Sequence, residues 1–234
     1  SEKDILKAAR NADVRMYHDG ISLTGDISNS SITAGIKAKS RISWYNFVEV
    51  FGFHPSRADR AFDMAMEIWG EYTRLDLKAS IVPHAPYSVS ASLFKKLDLL
   101  DDVKGGIVSI HNQESRDEDR FFKSGDGMLP FHYGQNLGLD ISRWKPTGQS
   151  SLQSVLPYLN TNKSLLLVHN TFMEENDLSH LIKTRDSENT YLVLCPAANL
   201  YIEDKLPPVD LFRHYGIKIC LGTDSLASNH SLSI

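Results

Sequence analysis

Four apolar runs in this sequence end on a side chain that can bind a cation or move a proton. Ile81-Val82-Pro83 leads into His84, the run from Ile107 to Ile110 into His111, the run from Leu165 to Val168 into His169, and the run from Ile219 to Thr223 into Asp224. Imidazole and carboxylate are what borderline cations such as zinc accept, and a catalytic site of this type keeps one position open for water. Each residue alone has an ordinary explanation, because a histidine at a strand end is often a structural hydrogen-bonding group and an aspartate before serine often caps a helix. Three histidines and an aspartate closing four apolar runs are much harder to explain by capping, and they point to a metal-dependent hydrolase. Glu114 follows His111 by three residues in His111-Asn112-Gln113-Glu114, close enough for both to face one cavity, where its carboxyl could shuttle protons. Taken in isolation it reads first as a carboxylate stabilised by the dipole at the start of the next helix.

The elements that must position these residues alternate regularly. Residues 3–18 have near-helical apolar spacing and Gly20 beyond their end. Apolar runs at 21–27, 42–51, 78–83, 107–111, 164–170, 191–195 and 217–221 read as strands, and helical patterns are clearest at 56–75, 90–100, 148–160, 174–184 and 208–215. Strands alternating with helices imply an α/β fold with a parallel sheet, and a regular series of this length favours a closed (β/α)8 barrel, with an open doubly wound sheet as the alternative. In a barrel, chemistry sits at the C-terminal strand ends, where His84, His111, His169 and Asp224 fall. No G-x-G-x-x-G follows the first strand, which counts against a dinucleotide fold. Seven strands are one short of the usual eight, and the series opens with a helix, so the expectation is a single barrel domain over residues 1–234 that lacks a first strand and is a piece of a longer chain.

Composition narrows the partners. A chain of 234 residues with 41% hydrophobic content can bury a barrel-sized core. The net charge of −4, with both signs interspersed, offers no basic stripe for nucleic acid. Cys195 and Cys220 form no C-x-x-C pair, which argues against a disulfide framework or a thiolate zinc site and favours the cytoplasm. No run approaches the ~18 apolar residues of a membrane span, so no membrane partner is expected.

Five segments in order resemble the amidohydrolase superfamily: Pro83-His84-Ala85-Pro86-Tyr87-Ser88, His111-Asn112-Gln113-Glu114-Ser115, Val168-His169-Asn170-Thr171, Cys195-Pro196-Ala197-Ala198-Asn199 and Leu221-Gly222-Thr223-Asp224-Ser225 with Ser228-Asn229. The likeness covers strands two to eight of that barrel. It is strongest to the branch of cytosine deaminase-like enzymes, adenosylhomocysteine, guanine and aminofutalosine deaminases and triazine chlorohydrolases, which Gly25-Asp26-Ile27-Ser28-Asn29-Ser30 also resembles. The resemblance implies one divalent metal, zinc or else iron, with His111 and Asp224 as ligands. It further implies His169 as hydrogen-bond partner of the attacking water or leaving group, Glu114 as proton shuttle, Asp224 as acceptor of the water's proton and His84 as a substrate contact. The implied reaction is hydrolytic deamination of a small purine- or pyrimidine-like heterocycle by a metal-activated water.

One departure is large, since the family supplies two further ligands as an H-x-H pair at the end of its first strand and no H-x-H occurs here. His18 stands alone at the end of the first helix, where a histidine interacts favourably with the helix C-terminus. With two ligands remaining, the expectation for this chain alone is weak or absent metal binding and no activity. Two other functions therefore stand beside deamination: hydrolysis of a C–Cl or amide bond at an equivalent site, and a metal-free barrel that only binds. The two-metal amidase branch is disfavoured because His84 stands where a carboxylated lysine would be. The Gly-rich connection 124–150 reads as a lid, with Trp144 packing it onto the barrel. Glu49, on the 42–51 run, either lines the pocket or pairs with a lysine. Asp26 is expected to order its own turn, and Cys195 and Asn199 to be structural. Unpaired barrel edges would favour association into homo-oligomers.

Overall fold

The computed structural model describes residues 1–100 and 106–234. Its strands are β1 (Leu23–Ser28), β2 (Ser43–Val50), β3 (Lys78–Pro83), β4 (Ile107–Asn112), β5 (Ser164–His169), β6 (Thr190–Leu194) and β7 (Lys218–Leu221). The helices are α1 (Glu2–His18), α2 (Ala34–Lys37), α3 (Ala58–Arg74), α4 (Ala91–Asp98), α5 (Arg116–Ser124), α6 (Met128–Phe131), α7 (Ser151–Val155), α8 (Glu175–Thr184), α9 (Pro196–Glu203) and α10 (Val209–His214).

The strands pair in parallel as β1-β2-β3 and β4-β5-β6-β7. β3 and β4 lie alongside each other: Ser80 Oγ donates to the Ile107 carbonyl at 2.7 Å, and the His111 amide to the His84 carbonyl at 2.9 Å. Spatial order therefore follows chain order from β1 to β7. A doubly wound sheet reverses its order at a switch point, so that alternative is excluded, and the sequential order is that of a (β/α)8 barrel wall. Among the described residues β1 and β7 each have one strand neighbour.

The strands alternate as one face of a packed wall requires. On β5, Leu165, Leu167 and His169 are buried while Ser164, Leu166 and Val168 are half-buried, and the regular pleat ends at His169, whose φ is +74°. α3 buries Ala58, Ala65 and Tyr72, seven residues apart, so one stripe faces the sheet. α4 starts where Ser90 accepts from the Leu93 amide, and α5 stops at Gly125, whose φ of +77° is a left-handed cap that glycine adopts without strain.

Several boundaries differ from the sequence pattern for local reasons. The helix expected over 148–160 is the short α7 followed by a 3-10 turn at Leu156–Tyr158, because Pro157 has no amide hydrogen for the helical ladder. The strand expected to reach Cys195 stops at Leu194, and Pro196 opens α9, a helix whose apolar residues recur nearly all round and so give no periodic signal. The connection after α5 carries α6, and Trp144 stacks on Phe121 with ring centroids 3.8 Å apart and planes at 10°, fastening the connection to the barrel as expected. Asp26 does more than order its turn: besides Ser28 Oγ at 2.7 Å it takes the buried Lys37 ammonium at 2.5 Å. Lys37 also donates to Asn46 Oδ1 at 2.6 Å, tying α2 to β1 and β2. No helix among the described residues is long and apolar enough to cross a membrane.

Candidate active site

The five expected residues meet at one rim. His84 follows β3, His111 lies near the end of β4, His169 closes β5, Asp224 follows β7, and Glu114 leaves β4 by two residues. One ligand atom each from His111, His169 and Asp224 lie within 4.8 Å of one another. The His84 and His111 rings are 5.0 Å apart and those of His111 and His169 5.4 Å, while Glu114 Oε1 stands 3.4 Å from His169 Nε2.

Hydrogen bonds settle which ring nitrogens are available. His111 Nδ1 is 2.8 Å from the His84 carbonyl, which can only accept, so Nδ1 carries the hydrogen and Nε2 keeps its lone pair. His169 Nδ1 is 3.0 Å from Asn199 Oδ1, with Asn199 oriented so that its Nδ2 donates to Thr171 Oγ1 at 2.8 Å. That assignment leaves His169 Nε2 free toward Glu114 and the cluster. His84 Nδ1 faces Ser88 Oγ at 2.7 Å, and Asp224 Oδ2 accepts from Ser228 Oγ at 2.5 Å.

The backbone is strained where these groups emerge. Gln113 (φ +45°), His169 (+74°), Asn170 (+58°) and Asp224 (+56°) are non-glycine residues in the left-handed region. Such conformations cost about 1–3 kcal/mol each and persist only where surrounding bonds hold them. Here Asn112 Nδ2 donates to Asn170 Oδ1 at 3.0 Å, and the Asn170 amide to the Asn112 carbonyl at 2.9 Å, which latches the ends of β4 and β5 together.

Burial sets the charges. It lowers His84 to about 3, with the neighbouring His111 and His169 adding to the effect, and it also holds His111 and His169 below the usual imidazole value. Burial raises the Glu114 carboxyl, and the Asp224 charge adds to the rise. Neutral imidazoles and a carboxyl inclined to keep its proton are thereby placed side by side.

Glu49 belongs to this rim, which decides between its two sequence readings. Its side chain is 4% exposed, Oε1 has no hydrogen-bond partner, and that oxygen is 3.4 Å from His111 Nδ1. Burial pushes its carboxyl up to about 7. The signal available in the sequence was its place near the end of a strand run, the same signal that marked the histidines.

The donor set of two imidazole nitrogens and a carboxylate fits a divalent cation of the zinc type, since catalytic zinc sites use three protein ligands and leave a position open. His169 thus joins His111 and Asp224 as a possible donor, where sequence reasoning gave it only a hydrogen bond. A cavity of about 460 Å3 lies nearby between the connections after β2, β3 and β4, with Phe53, Phe94, Trp144 and Tyr158 in its walls. None of His84, His111, Glu114, His169 and Asp224 lines it, so it is separate from this cluster.

A family model described as the amidohydrolase family matches residues 3–234. The chain belongs to the amidohydrolase family. It is 26% identical over 228 residues to a Helicobacter pylori adenosine deaminase, covering 97% of this chain and 54% of that protein. It is also 26% identical to an aminodeoxyfutalosine deaminase of Nitratiruptor, covering 92% of this chain and 51% of the relative. Among solved structures, Helicobacter pylori aminofutalosine deaminase superposes with a TM-score of 0.82 at 24% identity, over 97% of this chain and 56% of the other. The zinc complex of atrazine chlorohydrolase TrzN from Arthrobacter aurescens gives 0.75 at 13% identity, over 100% and 51%. At these identities the structural likeness establishes the family's barrel fold. The chain spans about half the length of the curated relatives it matches.

Proposed function

We propose that this chain carries the proton-transfer and part of the metal-binding machinery of a hydrolytic deaminase acting on a purine-like ring, with adenine nucleosides as the substrate class. The observation that carries this reading is the contact of Glu114 with His169 at 3.4 Å beside the His111, His169 and Asp224 donor cluster. The substrate class is supported by relatives named as deaminases of adenosine, 5-methylthioadenosine, S-adenosylhomocysteine, 5'-deoxyadenosine and aminodeoxyfutalosine.

A divalent cation held by His111 and Asp224, with His169 in reach, would supply Lewis acidity that brings the pKa of water toward neutrality. Asp224 takes the proton lost as water adds to the ring carbon that bears the amino group. Glu114, inclined by its surroundings to the acid form, gives its proton to the adjacent ring nitrogen. The amino group leaves as ammonia after receiving the proton from Asp224, and the new hydroxyl returns a proton to Glu114 as it becomes a carbonyl. His169 holds the attacking oxygen through Nε2, and His84 presents a neutral ring to the substrate.

The test is ammonia release from adenosine, 5'-methylthioadenosine, S-adenosylhomocysteine and aminodeoxyfutalosine by the full-length zinc-loaded protein. Turnover is expected for at least one of them, and Glu114→Gln is expected to lower kcat by about 100-fold or more at unchanged zinc content. No ammonia from any of the four by a protein that holds stoichiometric zinc would overturn the reading, and failure to retain zinc would favour a metal-free binding barrel.

A further inference from the structure

Glu118 is fully buried at the third position of α5, where a glutamate ordinarily reaches back to the amide of the N-cap residue, here Ser115. Its carboxyl reaches further. Oε1 accepts from the Gln113 amide at 2.9 Å and Oε2 from the Glu114 amide at 3.3 Å. Both oxygens thus act on the dipeptide that turns the chain away from β4, and Gln113 is the residue there with a φ of +45°.

The rest of Gln113 is tied down in the same way. Its Nε2 donates to Asp177 Oδ2 at 2.9 Å and lies 3.2 Å from Asp119 Oδ2, and its carbonyl accepts from the Phe172 amide at 3.1 Å. Asp119 belongs to α5, Asp177 to α8, and Phe172 to the turn that follows His169. The frame that fixes Glu114 is therefore bonded to the frame that fixes His169. Burying even a neutral carboxyl has a desolvation cost, and burial pushes Glu118 up to about 8, so near neutrality it keeps its proton. An apolar side chain of the same length would cap no amide and incur no such cost.

We propose that Glu118 is a positioning residue: its buried carboxyl holds the strained Gln113–Glu114 turn so that the Glu114 carboxyl is aimed at His169. The inference rests on the proposed deaminase reading for its kinetic consequence, and on geometry alone for its structural one. A misplacement of 1 Å in a reacting group costs about 100-fold in rate. Glu118→Met, which removes both acceptors, is expected to lower kcat by about that factor. Glu118→Gln keeps one acceptor oxygen for Gln113 and turns an amide group toward Glu114, so it is expected to fall between, near a tenfold loss. KM and zinc content should be unchanged in both.

The experiment measures kcat, KM and zinc content for the full-length wild-type, Glu118→Met and Glu118→Gln proteins, with crystal structures of each. Phe212→Leu, a core change on α10, which carries none of the residues bonded to Glu118 or Gln113, serves as a destabilised comparison whose kcat should stay at the wild-type level. A graded loss of kcat with Glu114 displaced from His169 supports the proposal. Variants within twofold of wild type, or with Glu114 still 3.4 Å from His169, overturn it. Should Glu118→Met not fold, Glu118→Gln decides by the same two criteria. If the wild-type protein deaminates nothing, the activity reading fails by itself, and the Glu114–His169 separation in the variant crystals still decides the positioning role.

Discussion

Replacing Asn199 by alanine removes the partner that selects the tautomer of His169. Asn199 is 1% exposed, as is His169, and water has no access to replace the bond between them. The perturbed ring has two outcomes. If the hydrogen stays on Nδ1, a buried donor is left unpaired at a cost of about 1–3 kcal/mol. If it moves to Nε2, the lone pair that faces Glu114 is lost, and a hydrogen is directed into the donor cluster instead. Either way the ring no longer holds a fixed Nε2 lone pair toward the attacking oxygen, and losing that one hydrogen bond of about 1–3 kcal/mol in the proposed transition state corresponds to about a 5- to 150-fold fall in kcat/KM. Asn199→Asp keeps an acceptor oxygen at the position and should lose less. Two assays check this: steady-state deamination by the zinc-loaded protein, and nitrogen-15 shifts of the His169 ring, which should report Nδ1–H in the wild type and a changed pattern in Asn199→Ala. A folded, zinc-replete Asn199→Ala protein with kcat/KM within twofold of wild type would refute the argument. So would a wild-type spectrum showing Nε2–H.

Lys37→Met should destabilise the fold, because it leaves the fully buried Asn46 Oδ1 without its 2.6 Å donor and Asp26 without its cation. Asp26 is 38% exposed and partly solvated, so the loss is set at about 2–3 kcal/mol, or roughly 5–10 °C in Tm, and a shift below 2 °C in a thermal melt would contradict it. Glu118 predicts a pH effect of definite sign. Its folded carboxyl is raised to about 8 from the usual 4.5, so between these values the folded state holds a proton that the unfolded state has released. Stability from this group is accordingly present near pH 4.5 and declines as pH rises toward 8. Urea melts at pH 5 and pH 7.5 should show wild type losing stability relative to Glu118→Gln, and a constant difference would exclude the shift.

The sites where chemistry happens were legible because a barrel puts polar residues at the ends of apolar runs, and that pattern survives in one dimension. His84, His111, His169 and Asp224 each closed a run of strand-like residues, and Glu114 followed at a short fixed interval. The pattern of continuous apolar runs, which strands covered on both faces require, likewise gave the seven strands, and its alternation with helical spacing gave the parallel class. It could not give α9, whose apolar residues are spread around the helix, nor the break at Leu156–Tyr158, where one proline outweighs the pattern around it.

Tertiary structure alone decided which groups act on which. Sequential strand order excluded the doubly wound alternative, and the pairing of β4 with β5 brought His111 beside His169 across 58 residues of chain. The tautomers of the histidines follow from Asn199 and the His84 carbonyl, partners 30 and 27 residues away. Hydrogen bonds depend on distances of a few tenths of an ångström between residues that spacing along the chain does not constrain. Residue types thus determined what chemistry this chain can take part in, while the fold determined the burial, proton positions and strained turns that direct it.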